Sequence, residues 1–283
     1  MSGRELVVGV DGSAGALAAV RWAARVARER RLALRLVHAL PELPVPYPRA
    51  DPTYEQLLEA AGAQGRVMLA EARDAASGVD AKTVLRSEQA TDALVAESGD
   101  AAMLALGTPG LRPLGRVLLG SVTVALTAHA HCPVALVRPH AGEDEPPAEG
   151  PVVVGIDGSP VSEEAIAVAF QEASWRDVPL IAVHCRHRDG WWDTGKAAEE
   201  YERELLAQRL AGWAEKYPDV VVDREVVAGR AAERLLDYAD RAQLLVVGSR
   251  GRGGLGGLAL GSTSQALMSY ALCPVVVARP RAK

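Results

Sequence analysis

The chain has 283 residues, room for one large domain or two ordinary ones, and 49 % of them are hydrophobic, which argues against wholesale disorder. A net charge of −5, with arginines scattered through helical stretches, argues against a general nucleic-acid surface. Cys132, Cys185 and Cys273 form no CxxC pair, which argues against a disulfide framework or zinc knuckle and reads as a reduced, cytoplasmic protein.

At the N-terminus, "MSGRELVVGVDG" has no signal-peptide core, because Asp11 interrupts the apolar run. No stretch reaches the roughly 18 apolar residues of a membrane span, so no membrane partner is expected. The opening "VVGVDGS" at 7–13 returns as "VVGIDGS" at 153–159, and "HCPVALVRP" at 131–139 returns as "LCPVVVARP" at 272–280. The chain is thus written twice. The first copy, residues 1–140, has the longer middle, "PELPVPYPRADPTYEQ", and later the stretch "GTPGLRPLGRVLLGSVT". Residues 140–151, "HAGEDEPPAEGP", are acidic and rich in Pro and Gly, and read as a solvated linker.

The second copy, 151–283, opens on the strand "VVVGI". Ser159-Pro160 then gives a hydroxyl N-cap with Pro at the first helical position, and a helix runs to about Trp175. "LIAVHC" is the second strand, 196–217 a long amphipathic helix, "VVVDREVV" the third strand, and 230–240 a helix. "QLLVVG" is the fourth strand. A glycine-rich stretch, a helix from about Ser262 and the strand "PVVVA" complete the copy, and the first copy repeats the order. Continuous apolar strands alternating with helices predict two tandem α/β domains, each a doubly wound, five-stranded parallel sheet covered on both faces. Ligands on such sheets sit at the carboxyl ends of the strands.

The stretch "GSRGRGGLGGLALGST" at 248–263 follows the fourth strand and runs into a helix N-terminus. A flexible tether is one reading. The other is an anion cradle, with free backbone N–H groups, the positive helix end, hydroxyls at Ser262, Thr263 and Ser264, and the guanidinium groups of Arg250 and Arg252. The spacing favours the cradle. Gly248-x2-Gly251, nine residues, then Gly261-Ser262 matches Gly107-x2-Gly110, nine residues, then Gly120-Ser121, although the residues between have diverged. A Walker loop would need GK[ST], and no Lys lies near. Gly251-x-Gly253-x-x-Gly256 matches GxGxxG but follows the wrong strand and is read as chance.

With G-x2-G-x9-G-[ST], "VGxDGS" and "CPVxxVRP", the sequence resembles the universal stress protein family, as a tandem pair covering essentially the whole chain. The resemblance implies a Rossmann-like fold of adenine-nucleotide-binding type. It also implies ATP with Mg²⁺ as ligand, the glycine loop holding phosphates and ribose, the Asp after strand one near the nucleotide, and backbone at the end of strand two reading adenine. Carried over, the second-copy positions are Asp157, Val183, His184, Gly248, Arg250, Gly251, Gly261, Ser262 and Thr263, with Arg252 beside them. The first-copy counterparts are Asp11, Val37, His38, Gly107, Gly110, Gly120, Ser121 and Val122. Pro109, Leu111 and Pro113 stand where the second copy has Arg250, Arg252 and Gly254, so the first loop loses both cations.

Bland readings compete at several positions. Asp11 and Asp157 suit a structural "DGS" turn as well as a ligand, and neither belongs to the DxD of a phosphoenzyme. His38, His184 and His187 are strand-end residues before they are metal ligands, Cys132 and Cys273 read as packing, and Trp191-Trp192 as a lid, a partner patch or folded-back packing. No catalytic residue or metal site is assigned. The expected function is a nucleotide-responsive stress or signalling protein, with a slow ATPase or phosphotransferase and a nucleotide-free interaction module as alternatives. The fifth strands are apolar sheet edges, which predicts an intramolecular pseudo-dimer and leaves a homodimer open.

Overall fold

The computed structural model describes residues 5–41, 52–108, 119–138, 145–186, 196–251 and 260–279. It divides into two compact units, the first ending at Val137 and the second running from Arg138. The first contains β1 (Glu5–Gly9), α1 (Ala14–Arg30), β2 (Ala33–Ala39), α2 (Pro52–Ala75), β3 (Ala81–Arg86), α3 (Ala90–Glu97), β4 (Ala101–Gly107), α4 (Ser121–His129) and β5 (Val134–Val137). The second contains β6 (Val152–Ile156), α5 (Pro160–Arg176), β7 (Leu180–Arg186), α6 (Lys196–Lys216), β8 (Val222–Ala228), α7 (Ala231–Ala239), β9 (Leu244–Gly248), α8 (Ser262–Tyr270) and β10 (Val275–Ala278).

Within the first unit the strands lie in the order β3-β2-β1-β4-β5, and within the second β8-β7-β6-β9-β10. Every pairing inside each unit is parallel. The predicted fold class is therefore the observed one. The chain winds outward from β1 to β3, then restarts on the other side of β1 at β4. Right-handed crossovers place α1 and α2 on one face and α3 and α4 on the other; α1 packs beside α2 and α3 beside α4, with the same pairs repeated as α5/α6 and α7/α8.

Double coverage explains the strand composition. β5 and β10 are buried at all four positions, whereas the edge strands β3 and β8 carry Lys82, Thr83, Asp223 and Arg224 into solvent. Ser13 and Ser159 cap α1 and α5, each accepting from a backbone N–H three residues on. Cys132 and Cys273 are buried beside Pro133 and Pro274, as packing residues. Among the described residues no helix is long and apolar enough to cross a membrane.

Candidate nucleotide site

Order reversal between β1 and β4, and between β6 and β9, leaves a crevice at the carboxyl ends of those strands, because the flanking loops part to opposite faces. Both "DGS" turns enter this crevice. Asp157 accepts from Ser159 N at 2.9 Å and Asp11 from Ser13 N at 3.0 Å, so each carboxylate has one oxygen fixed in a turn. Gly158 and Gly12 follow at φ 76° and 78°, a backbone shape that only glycine holds without strain.

The cradle assembles on the same side. Gly261 N donates to Ser249 O at 2.9 Å, closing the neck of the loop, and Ser264 Oγ donates to Gly248 O at 2.6 Å, tying α8 to the end of β9. These bonds bring Gly248, Arg250, Gly251, Gly261, Ser262 and Thr263 together. A Cβ on Gly251 would stand 2.5 Å from Asp157 Oδ2, so loop and strand-one carboxylate are in contact. Arg250 and Ser262 are exposed. α8 starts at Gly261 without a side-chain cap, so its first N–H groups are unspent, in contrast to those of α5. Ser249 Oγ, at the neck, is buried and has no hydrogen-bond partner. Arg252 lies outside the described residues.

Val183 and His184 lie within β7, level with Gly155 and Ile156 of β6; the Val183 side chain is buried and its backbone sits in the ladder between β6 and β8. His184 turns inward. Its Nδ1 donates to Ile156 O at 2.8 Å, since a carbonyl can only accept, and its Nε2 faces Glu202 on α6 at 3.3 Å. Between α6 and the strand ends lies a small pocket lined by Ile156, Gly158, His184, Glu202, Leu206 and Arg209, with Arg209 NH1 donating to Glu163 at 2.9 Å. Glu202 and Arg209 escaped the sequence reading; their signal is the spacing 202, 205, 206, 209, one face of a helix.

The first unit repeats the frame with different filling. His38 Nδ1 donates to Val10 O at 2.7 Å, and Val37 O accepts from Val10 N at 2.8 Å. Here α2 closes over the turn and the histidine: a Cβ on Gly12 would be 2.9 Å from Met68 Sδ, and one on Gly65 2.6 Å from His38 Cδ2. Gly107 is pressed against α1, where a Cβ would be 2.1 Å from the carbonyl carbon of Gly15. Gly248 is looser, 3.1 Å from Val161 Cγ1. Thr108 stands where the second unit has Ser249, and its hydroxyl is spent on Val137 O at 3.3 Å. Gly120 is the N-cap of α4, ahead of Ser121 and Val122, again without a side-chain cap. Gly110 lies outside the described residues, as do His187, Trp191 and Trp192.

Neither thiol near these elements is poised to ionise. Burial pushes Cys273 up to about 12 and Cys185 up to about 11.

Comparison with known proteins identifies the repeat. The family model described as the universal stress protein family matches residues 3–138 and again 150–279. A universal stress protein of Mycolicibacterium smegmatis is 41 % identical over 294 residues, covering 98 % of this chain and 97 % of its own. Universal stress protein Rv2005c of Mycobacterium tuberculosis is 43 % identical over 295 residues, covering 97 % and 96 %. In fold, the crystal structure of a universal stress protein from Archaeoglobus fulgidus superposes with a TM-score of 0.73 at 18 % identity, over 99 % of each chain. The chain belongs to the universal stress protein family, with the family's domain occurring twice.

Proposed function

We propose that the protein binds ATP in its second unit and acts as a nucleotide-responsive stress or signalling protein, not as a fast enzyme. The observation that carries the reading is the meeting of Gly251 with Asp157 at the mouth of an uncapped α8, beside Arg250. That corner offers unspent N–H donors, hydroxyls and a guanidinium to phosphate oxygens. The orphaned Ser249 hydroxyl supports it further, since buried polar groups normally have a partner. The base would lie toward Ile156 and His184, where the free space holds about one water, so α6 must give way to admit it. Among the described residues no group of three or more His, Cys, Asp or Glu could hold a metal ion. Mg²⁺ would therefore travel on the phosphates, with Asp157 the carboxylate beside the loop.

Mass spectrometry of the small molecule released from denatured, freshly purified protein tests this reading. ATP or another adenine nucleotide in stoichiometric amount is the expected result. Its absence, together with no heat of ATP binding and no ATP-dependent rise in melting temperature, leaves the interaction module. Steady release of phosphate from ATP and Mg²⁺ would favour the slow ATPase.

A further inference from the structure

α8 is held at both ends. At its start the anchors are Ser264 Oγ on Gly248 O and Gly261 N on Ser249 O. At its end the last carbonyls of a helix have no partner within it. Ala271 N closes on Leu267 O, which leaves Met268 O without an intrahelical bond. α8 has no basic residue in its own last turn. Arg138 supplies what is missing: its NH2 donates to Met268 O at 2.7 Å and its NH1 to Ala271 O at 2.5 Å. Arg138 as a whole is 3 % exposed, and Met268 and Ala271 are buried as well. A cation at this end also suits the helix dipole. Arg138 closes the first stretch matched by the family model, yet it belongs to the second compact unit.

We infer that Arg138 is a positioning residue for the second unit's nucleotide site: its two hydrogen bonds fix the C-terminal end of α8 so that the N–H groups of the opposite end stay aimed at the phosphates. The inference rests on the nucleotide reading above. Without Arg138 two buried carbonyls lose their donors, and the helix can recover them only by shifting or fraying. α8 spans only Ser262–Tyr270, so a shift at one end reaches the other.

The test uses the full chain with Arg138→Met, which keeps the length but not the donors, and Arg138→Lys, which keeps the charge and can serve one carbonyl well. ATP affinity with Mg²⁺ is measured by calorimetry at a temperature where circular dichroism shows the variants folded. Amide exchange across 262–271 is followed without nucleotide. Arg138→Met is expected to weaken ATP at least fivefold and to speed exchange across α8, with Arg138→Lys recovering part of both. Affinity within twofold of the unaltered chain in folded Arg138→Met overturns the inference, because a purely structural arginine would lower the melting temperature and leave affinity alone. If Arg138→Met does not fold, Arg138→Lys decides by the same affinity criterion. If the unaltered chain binds no adenine nucleotide, the nucleotide reading fails separately, and the inference falls with unchanged exchange across α8 in either folded variant.

Discussion

The same glycine spacing does different work in the two copies, and neighbours distant in sequence decide which. Gly107 is wedged against the backbone of Gly15, while a Cβ on Gly251 would meet, among the described residues, the Asp157 carboxylate. Gly107→Ala must push a helix off its sheet, and overpacking of this kind costs about 3 kcal/mol. Urea unfolding should show that loss. Gly251→Val should cost less than about 1 kcal/mol, because the position is exposed. It should nevertheless weaken ATP at least tenfold by displacing Asp157 and crowding the loop, which calorimetry on the full chain would read. Unchanged affinity would remove Gly251 from the cradle. The sequence made both glycines legible as a spaced set, since spacing is a property of the chain alone. Their separate roles were not legible, because Gly15 and Asp157 reach them only through the fold.

Helix positions followed closely from local chemistry. Ser159-Pro160 predicts a start, and α5 runs Pro160–Arg176; the amphipathic stretch predicted over 196–217 is α6, Lys196–Lys216. Capping and periodicity act within a few residues, so the sequence carries them. Links between elements have no such local signature. In the first unit Glu97, at the end of α3 and with its side chain 2 % exposed, receives hydrogen bonds from Arg35 on β2 at 2.8 Å and from Arg86 on β3. Arg35 also donates to Glu5 on β1 at 2.6 Å. Burial alone would raise the Glu97 carboxyl, but the bonds from Arg86 and Arg35 outweigh it and hold the group below its usual range. A carboxyl lowered by folding contributes stability that is fully present above its unfolded value and is lost as pH falls toward the folded one. Glu97→Gln should therefore cost about 2 kcal/mol at pH 7, between the values for surface and fully buried pairs because both arginines are more than a third exposed. The difference should shrink as pH falls below about 4. Unfolding curves at the two pH values would show it; a gap independent of pH would mean that Glu97 contributes through packing.

At the scale of the whole molecule, duplication has kept the frame and let the fillings diverge. Both units wind their strands in the same order and both place an Asp, a strand-end His and an uncapped helix at the crevice. The first unit then spends what the second leaves open. Met68 lies against Gly12, Thr108 spends its hydroxyl on Val137 O, and Pro109 and Leu111 replace Arg250 and Arg252. A charge-assisted phosphate contact is worth roughly 1.5–3 kcal/mol, so losing even one costs about tenfold in affinity. The intact chain should therefore titrate with one strong ATP site, the first unit binding at least tenfold more weakly. Arg250→Ala should erase most of that difference, while Asp11→Asn should leave the strong site unchanged and Asp157→Asn should weaken it. Calorimetry on the full chain reads stoichiometry and affinity together. Two equal sites, or a strong site that survives Arg250→Ala, would mean that the arginine points away from the phosphates and that the asymmetry of the two fillings does not govern binding.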